Sequence, residues 1–296
     1  MSSTAVSQAD TAFRLPGAST LRGLALRVRD VAAVLPFYTE SLGMPVRNRD
    51  GNRVELAPDG RAFTLELVHD PEAPERVHPS IGLYHFALLQ PDRAALAAVI
   101  RRLLDAKWRV DGASDHGVSE AIYLRDPEGN GIELYRDRPK DAWSVGPNGV
   151  EMMTVPLDMA GLLRETAESG PLSPATRFGH IHLHVGDLAE GERFYAGGLG
   201  MDVTQRSYPG ALFLSVGGYH HHVGLNTWAR GRRSPDGATG LIGYAWAIQA
   251  DTLEPLKAHL RARRVPFEDT GKGIAVTDPS GVRVEMLEPD AFEGAL

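Results

Sequence analysis

Cysteine is absent from the 296-residue chain, which excludes a disulfide framework and any thiolate metal site. The lack suits a reducing compartment, and a cytoplasmic location is expected. Long apolar runs are missing too: none approaches the ~18 residues that would suggest a membrane-spanning helix. Positive charge is scarce. Lys and Arg number 31 against 38 Asp and Glu, a net charge of −7, which disfavours the basic face that nucleic-acid partners call for. The opening MSSTAVSQADTAFRLPGA has neither the basic nor the apolar region of a secretory leader. It reads as a disordered tail over residues 1–18. The remainder is an ordinary mix, 43% hydrophobic and 23% charged, able to bury a core over about two domains.

What the chain does have is an internal repeat. Leu26, Val28, Asp30, Phe37, Tyr38, Leu42, Gly43, Met44 and Val46 recur 157 residues later as Leu183, Val185, Asp187, Phe194, Tyr195, Leu199, Gly200, Met201 and Val203. Each copy reads as an alternating strand, an Asp placed to cap a helix, an amphipathic helix ending in Phe-Tyr, and a Gly stop. Both Phe-Tyr pairs are expected in the core. A second pair of segments, GLYHFALL at 82–89 and GLIGYAWA at 240–247, leads into helices over Asp92–Ala106 and Leu253–Arg264. Each ends in a hairpin, DPEGNGIEL or DPSGVRVEM. The chain therefore reads as an α+β fold of four βαβββ modules, over about 20–70, 80–137, 177–230 and 239–290. Modules 1 and 2 fall in a first domain, 19–137, and modules 3 and 4 in a second, 177–290. A linker over 138–176 carries one apolar-periodic stretch, Met159–Glu168.

Strand alternation sorts side chains by face. In the first strand of module 3, Ile181, Leu183 and Val185 share the apolar face that must cover the helix. His180, His182 and His184 share the other. In module 2, His85 follows the same rule behind an apolar series of Tyr84, Phe86 and Leu88. The equivalent slot reads Gly23, His85, His180 and Gly243 across the four modules, so only modules 2 and 3 offer an imidazole there. In the last strand of module 2, Glu133 opposes Ile132 and Leu134, and a buried carboxylate is costly without a cation. Two His and one carboxylate make the facial triad suited to non-haem Fe(II), with open positions left over. His85, Glu133 and His180 are the expected metal ligands. Glu285 fills the slot of Glu133 in module 4, but Gly243 leaves it without a partner, so it reads as structural. Because modules 2 and 3 supply all three ligands, crosswise pairing is expected, 2 with 3 and 1 with 4. Near this site, His222 in YHHHVGLN is the expected acid–base group, with Tyr123 as a hydrogen-bond donor.

The phrases GLYHFALLQPDR, DHGVSEAIYLRDPEGNGIELYRDRP, GHIHLHVGDL and ALFLSVGGYHHHVGLNTW span modules 2 and 3. On these the chain resembles the two-domain extradiol catechol-2,3-dioxygenases of the vicinal oxygen chelate superfamily, in the branch typified by Bacillus. The resemblance implies paired modules forming cupped half-barrels and Fe(II), with Mn(II) as the alternative. It implies a catechol-type substrate, O2, and a homo-oligomer. Carried over by motif, it places the ligands at His85, Glu133 and His180, the acid–base group at His222, and a hydrogen-bonding pair at His116 and Tyr123. Two departures stand out: in better-known members the ligands come from the last two modules, and only seven positions separate His116 from Tyr123. The competing readings are a glyoxalase-like lyase or isomerase, which usually uses two carboxylates, and a non-catalytic small-molecule-binding protein of the same superfamily.

Overall fold

A computed structural model describes residues 13–58, 63–147 and 149–292. Among them are five α-helices and two sheets, neither closed into a barrel. In each module the first strand runs parallel to the last: Thr20–Val28 with Thr64–His69, Gly82–Leu89 with Gly131–Asp137, Arg177–His184 with Val223–Asn226, and Gly240–Ala247 with Arg283–Leu287. Such a parallel pair needs a crossover, and the module's helix provides it.

The sheets do not follow the division of the chain into halves. Thr20–Val28 pairs antiparallel with Gly240–Ala247, so modules 1 and 4 form an eight-stranded sheet. Gly82–Leu89 pairs antiparallel with Arg177–His184, so modules 2 and 3 form the core of an eleven-stranded sheet. Crosswise pairing is thus the observed arrangement. The segments 19–137 and 177–290 divide the sequence, while each sheet draws one module from both.

Other contacts do join neighbours in sequence. The capping role of Asp30 and Asp187 is realised, their side chains accepting from the Ala33 and Glu190 amides. The helices that follow are short, Val31–Pro36 and Leu188–Glu192. They widen into π-helical turns, Phe37–Ser41 and Arg193–Gly198, where the expected reading was one α-helix. These turns drive both Phe-Tyr pairs into the core. Tyr38 donates to Asp126 at 3.0 Å, and Tyr195 to Asp278 at 2.9 Å. Each Asp opens the hairpin turn of the next module and also accepts from backbone amides of that turn. Modules 1 and 2, and 3 and 4, are therefore tied by buried hydrogen bonds, while strands tie 1 to 4 and 2 to 3. One continuous apolar core includes side chains of all four modules.

Residues 1–12 of the expected tail lie outside the described residues. Its remainder is not a tail: Leu15 is buried, its amide donates to Gly200 O at 3.0 Å, and Gly17 packs on Gly217. The linker is also ordered. Its apolar stretch forms the helix Met159–Arg164, capped by Asp158, and packs against Arg93–Asp105.

Candidate metal centre

The pairing of Gly82–Leu89 with Arg177–His184 sets the site. His182 lies opposite His85, and His180 opposite Ala87, which in turn pairs with Glu133 on the parallel neighbour. The three residues expected as ligands therefore converge. Donor atoms of His85, Glu133 and His180 all lie within 4.8 Å of one another. Glu133 Oε2 is 3.0 Å from His85 Nε2 and 3.1 Å from His180 Nε2. All three side chains are buried, at 5%, 3% and 2% exposure.

The donor set fits a divalent cation. The contact between His85 Nε2 and Glu133 lacks hydrogen-bond geometry, so this buried nitrogen has no hydrogen-bond partner among the described residues. Such an atom is costly unless something unseen satisfies it. Burial lowers the His85 pKa, against the pull of Glu133, and so favours the neutral imidazole that a metal needs. Burial alone would raise the Glu133 pKa, but His180 and His85 hold it well below the usual carboxylate range.

A bulge adds a residue that strict alternation missed. Register slips between His182–His85 and Leu183–Leu83, so Tyr84 bulges out between them. A β-bulge re-aims side chains. Leu83 and Phe86 stay in the core, whereas Tyr84 leaves the apolar face assigned to it. It is 37% exposed and its ring meets those of His182, His184 and Trp228. The three-residue gap between Leu83 and Phe86, where alternation asks for two, was the available signal.

A cavity of about 280 Å³ opens on the cluster, walled on its apolar side by Tyr84, Tyr208, Phe213 and Trp228. His116 and Tyr123 both line it and are joined, Nε2 to OH, at 2.7 Å; His116 Nδ1 is held by Met153 O, also at 2.7 Å. Burial, then the charge of Glu133, pushes the Tyr123 phenol well above its ordinary pKa, so its proton is retained. Of the three strand histidines, His182 lines the cavity, with Nε2 buried and unpartnered among the described residues. His184 turns instead to Asn226, 2.6 Å away.

The expected position of His222 is corrected. It does not line the cavity: its Nδ1 is 2.8 Å from Ser215 Oγ, and its ring packs on Trp246 of the other sheet. Burial pushes its pKa down to about 3. His221 lines the cavity instead, its ring 4.2 Å from that of His180. Alternation failed here because the strand begins only at Val223, after a turn in which Gly217 and Gly218 have φ of +63° and +68°. Met152 and Trp228 also line the cavity. Trp246 is buried in the core, and Trp143 packs on Tyr219 and His220.

Residues 20–134 and 177–286 match the model of the Glyoxalase/Bleomycin resistance protein/Dioxygenase superfamily. The chain belongs to that superfamily. It is 40% identical over 275 residues to the catechol-2,3-dioxygenase of Bacillus subtilis, covering 88% of this chain and 95% of that protein. Over 143 residues it is 32% identical to the uncharacterized protein PA2024 of Pseudomonas aeruginosa, covering 46% of this chain and 98% of that one. Among solved structures, a putative dioxygenase from Bacillus subtilis superposes with TM-score 0.66 at 14% identity, over 96% of this chain and 92% of that one. Glyoxalase I from Zea mays does so with TM-score 0.58 at 18% identity, over 93% and 94%. At such identities the superpositions show a shared fold, which by itself does not assign an activity.

Proposed function

We propose that the protein is an extradiol ring-cleaving dioxygenase. It opens a catechol-type ring beside its two hydroxyls and inserts both atoms of O2, with Fe(II), or alternatively Mn(II), held by His85, Glu133 and His180. The observation that carries this reading is the donor set: two imidazoles and one carboxylate, with no fourth donor in the cluster among the described residues. A glyoxalase-like site would place a second carboxylate on the last strand of module 3. That slot, opposite His182, is Gly224, and a Cβ there would stand 2.9 Å from the His182 ring. Held by this set, a metal would keep open positions for the catechol oxygens and O2, as in facial-triad oxygenases. The similarity to the Bacillus catechol-2,3-dioxygenase over most of both chains agrees with it.

When bound, the metal supplies Lewis acidity toward the catechol hydroxyls and a position for O2. The remaining work falls to side chains. His221, in place of His222, takes the hydroxyl proton and later returns it to the departing oxygen, a role suited to imidazole. His116, with both ring nitrogens engaged by Met153 O and Tyr123 OH, holds the Tyr123 hydroxyl in place to meet a substrate oxygen. Tyr84, Phe213 and Trp228 face the planar ring and keep water from it.

The test is anaerobic reconstitution with Fe(II) or Mn(II), followed by catechol and air. A yellow ring-opened product, formed with one O2 consumed per catechol, is the expected outcome. Metal uptake without product would sink the dioxygenase reading. Size-exclusion chromatography with light scattering tests the expected homo-oligomer.

A further inference from the structure

Behind His221 stand two groups that the proton transfer above does not name. His220 is fully buried, packed against the rings of Tyr219 and Trp143. Its Nδ1 lies 2.8 Å from His221 Nδ1, and its Nε2 lies 2.9 Å from Asp137 Oδ1. Asp137 ends the strand that carries Glu133. It also accepts from Tyr219 OH, at 2.9 Å to one oxygen and 3.1 Å to the other. Tyr219 OH is in turn 2.8 Å from Tyr135 OH. The row Asp137, His220, His221 thus runs from a partly exposed carboxylate to the wall of the cavity.

This row decides which nitrogens carry protons. A carboxylate only accepts, and a neutral imidazole has one N–H and one lone pair. The proton between His220 and Asp137 therefore sits on His220 Nε2. With His220 neutral, its Nδ1 is left as an acceptor, and the proton in the 2.8 Å bond belongs to His221 Nδ1. His221 Nε2, on the opposite edge of the ring, is left with its lone pair. We infer that Asp137 and His220 are positioning residues, fixing His221 in the one tautomer that can accept a proton from the substrate hydroxyl. With the opposite tautomer the ring would present N–H to O–H and take nothing. A carboxylate that orients a catalytic imidazole works by the same logic, and a wrong tautomer there costs orders of magnitude in kcat. The inference rests on the acid–base reading of His221.

Two substitutions in the full-length Fe(II) protein test it. His220→Leu removes the acceptor for His221 Nδ1–H, whereas His220→Asn keeps an oxygen acceptor near the same place. The Leu variant should lose roughly 10²-fold or more in kcat, with KM and metal content unchanged, and the Asn variant should recover much of that loss. Independently of turnover, long-range ¹H–¹⁵N spectra of the metal-free protein should show His221 protonated at Nδ1 in the wild type and mixed in His220→Leu. Wild-type kcat in His220→Leu, or an Nε2–H tautomer of His221 in the wild type, would overturn the inference. Should the Leu variant fail to fold, the wild-type spectrum decides alone. If His221→Ala turned over normally, the acid–base reading would fail, while the spectrum would still judge the tautomer.

Discussion

In the sheet of modules 2 and 3, His85 stands beside Gly131 and His182 beside Gly224. In the sheet of modules 1 and 4, Gly243 stands beside Arg283 and Ala25 pairs with Glu66. Large and small residues have changed places. A Cβ on Gly131 would come within 3.1 Å of His85 Cβ and 2.1 Å of Tyr84 O; a Cβ on Gly243 would come within 3.0 Å of Arg283 Cβ and 2.7 Å of its carbonyl oxygen. Neither glycine has room for a side chain where it stands. The second sheet also keeps two carboxylates, Glu66 and Glu285, but gives them arginines: Arg53 at 2.7 Å and Arg283 at 2.9 Å. The reading of Glu285 as structural agrees with this ion pair. A buried carboxylate is costly without a partner, and these matched slots meet that need differently: guanidinium beside Glu66 and Glu285, a cradle of imidazoles with an unpartnered nitrogen beside Glu133. The His85, Glu133 and His180 cluster is thus a matched group in which the glycines matter as much as the histidines.

The comparison can be broken most severely at the carboxylates. Glu133→Ala should abolish detectable metal by elemental analysis and with it all turnover, whereas Glu285→Ala should leave both near wild type. Equal effects would erase the distinction between the sheets. Next in size is the histidine pair. His221→Ala should lower kcat ~10²–10⁴-fold with metal retained, and His222→Asn should leave kcat near wild type in the same assay. The reverse pattern would restore the role first expected of His222.

Smaller effects sharpen the size exchange. Gly131→Ala should weaken metal binding ~10–100-fold, the usual cost of disturbing groups that orient a ligand, as read by competition with a chelator. Gly243→His should destabilise the fold by ~1–3 kcal/mol through overpacking, and adding Arg283→Gly should recover only part of that loss in chemical denaturation, because the 2.7 Å approach to the Arg283 carbonyl oxygen remains. If the double variant is no more stable than the single one, the two positions do not share space as inferred.

The last effect concerns acid. Because the folded pKa of His222 is pushed down to about 3, the unfolded chain binds the proton more readily. Its stabilising contribution is whole above the ordinary histidine pKa and is lost as pH falls from there toward the folded value. At ~1.4 kcal/mol per pH unit, at most ~3 kcal/mol is lost by pH 4. Thermal unfolding of His222→Asn should therefore decline less steeply between pH 6.5 and 4 than that of the wild type.

Much of this was legible in the chain alone, and for identifiable reasons. The 157-residue repeat is a statement about modules. Alternation is a local rule of strand geometry, so it placed His85, His180 and Glu133 wherever the strand was regular. The ligand count then implied crosswise sheets, because three donors must share one centre. Local rules failed where local geometry was overridden. The bulge at Tyr84 depends on how two strands from different halves fall into register, and a one-residue slip reverses every face beyond it. The orientation of His221 and His222 depends on a turn outside any strand, anchored where Ile181 N–H donates to His222 O at 2.9 Å and His222 N–H to Leu214 O at 2.8 Å. The sequence by itself determined the modules, their caps and the members of the His85, Glu133 and His180 cluster, since these follow from spacing along one chain. Only the tertiary structure decided which histidine faces the cavity, what stands behind it, and which glycine makes room for which side chain, because each is a contact between segments that sequence distance does not fix.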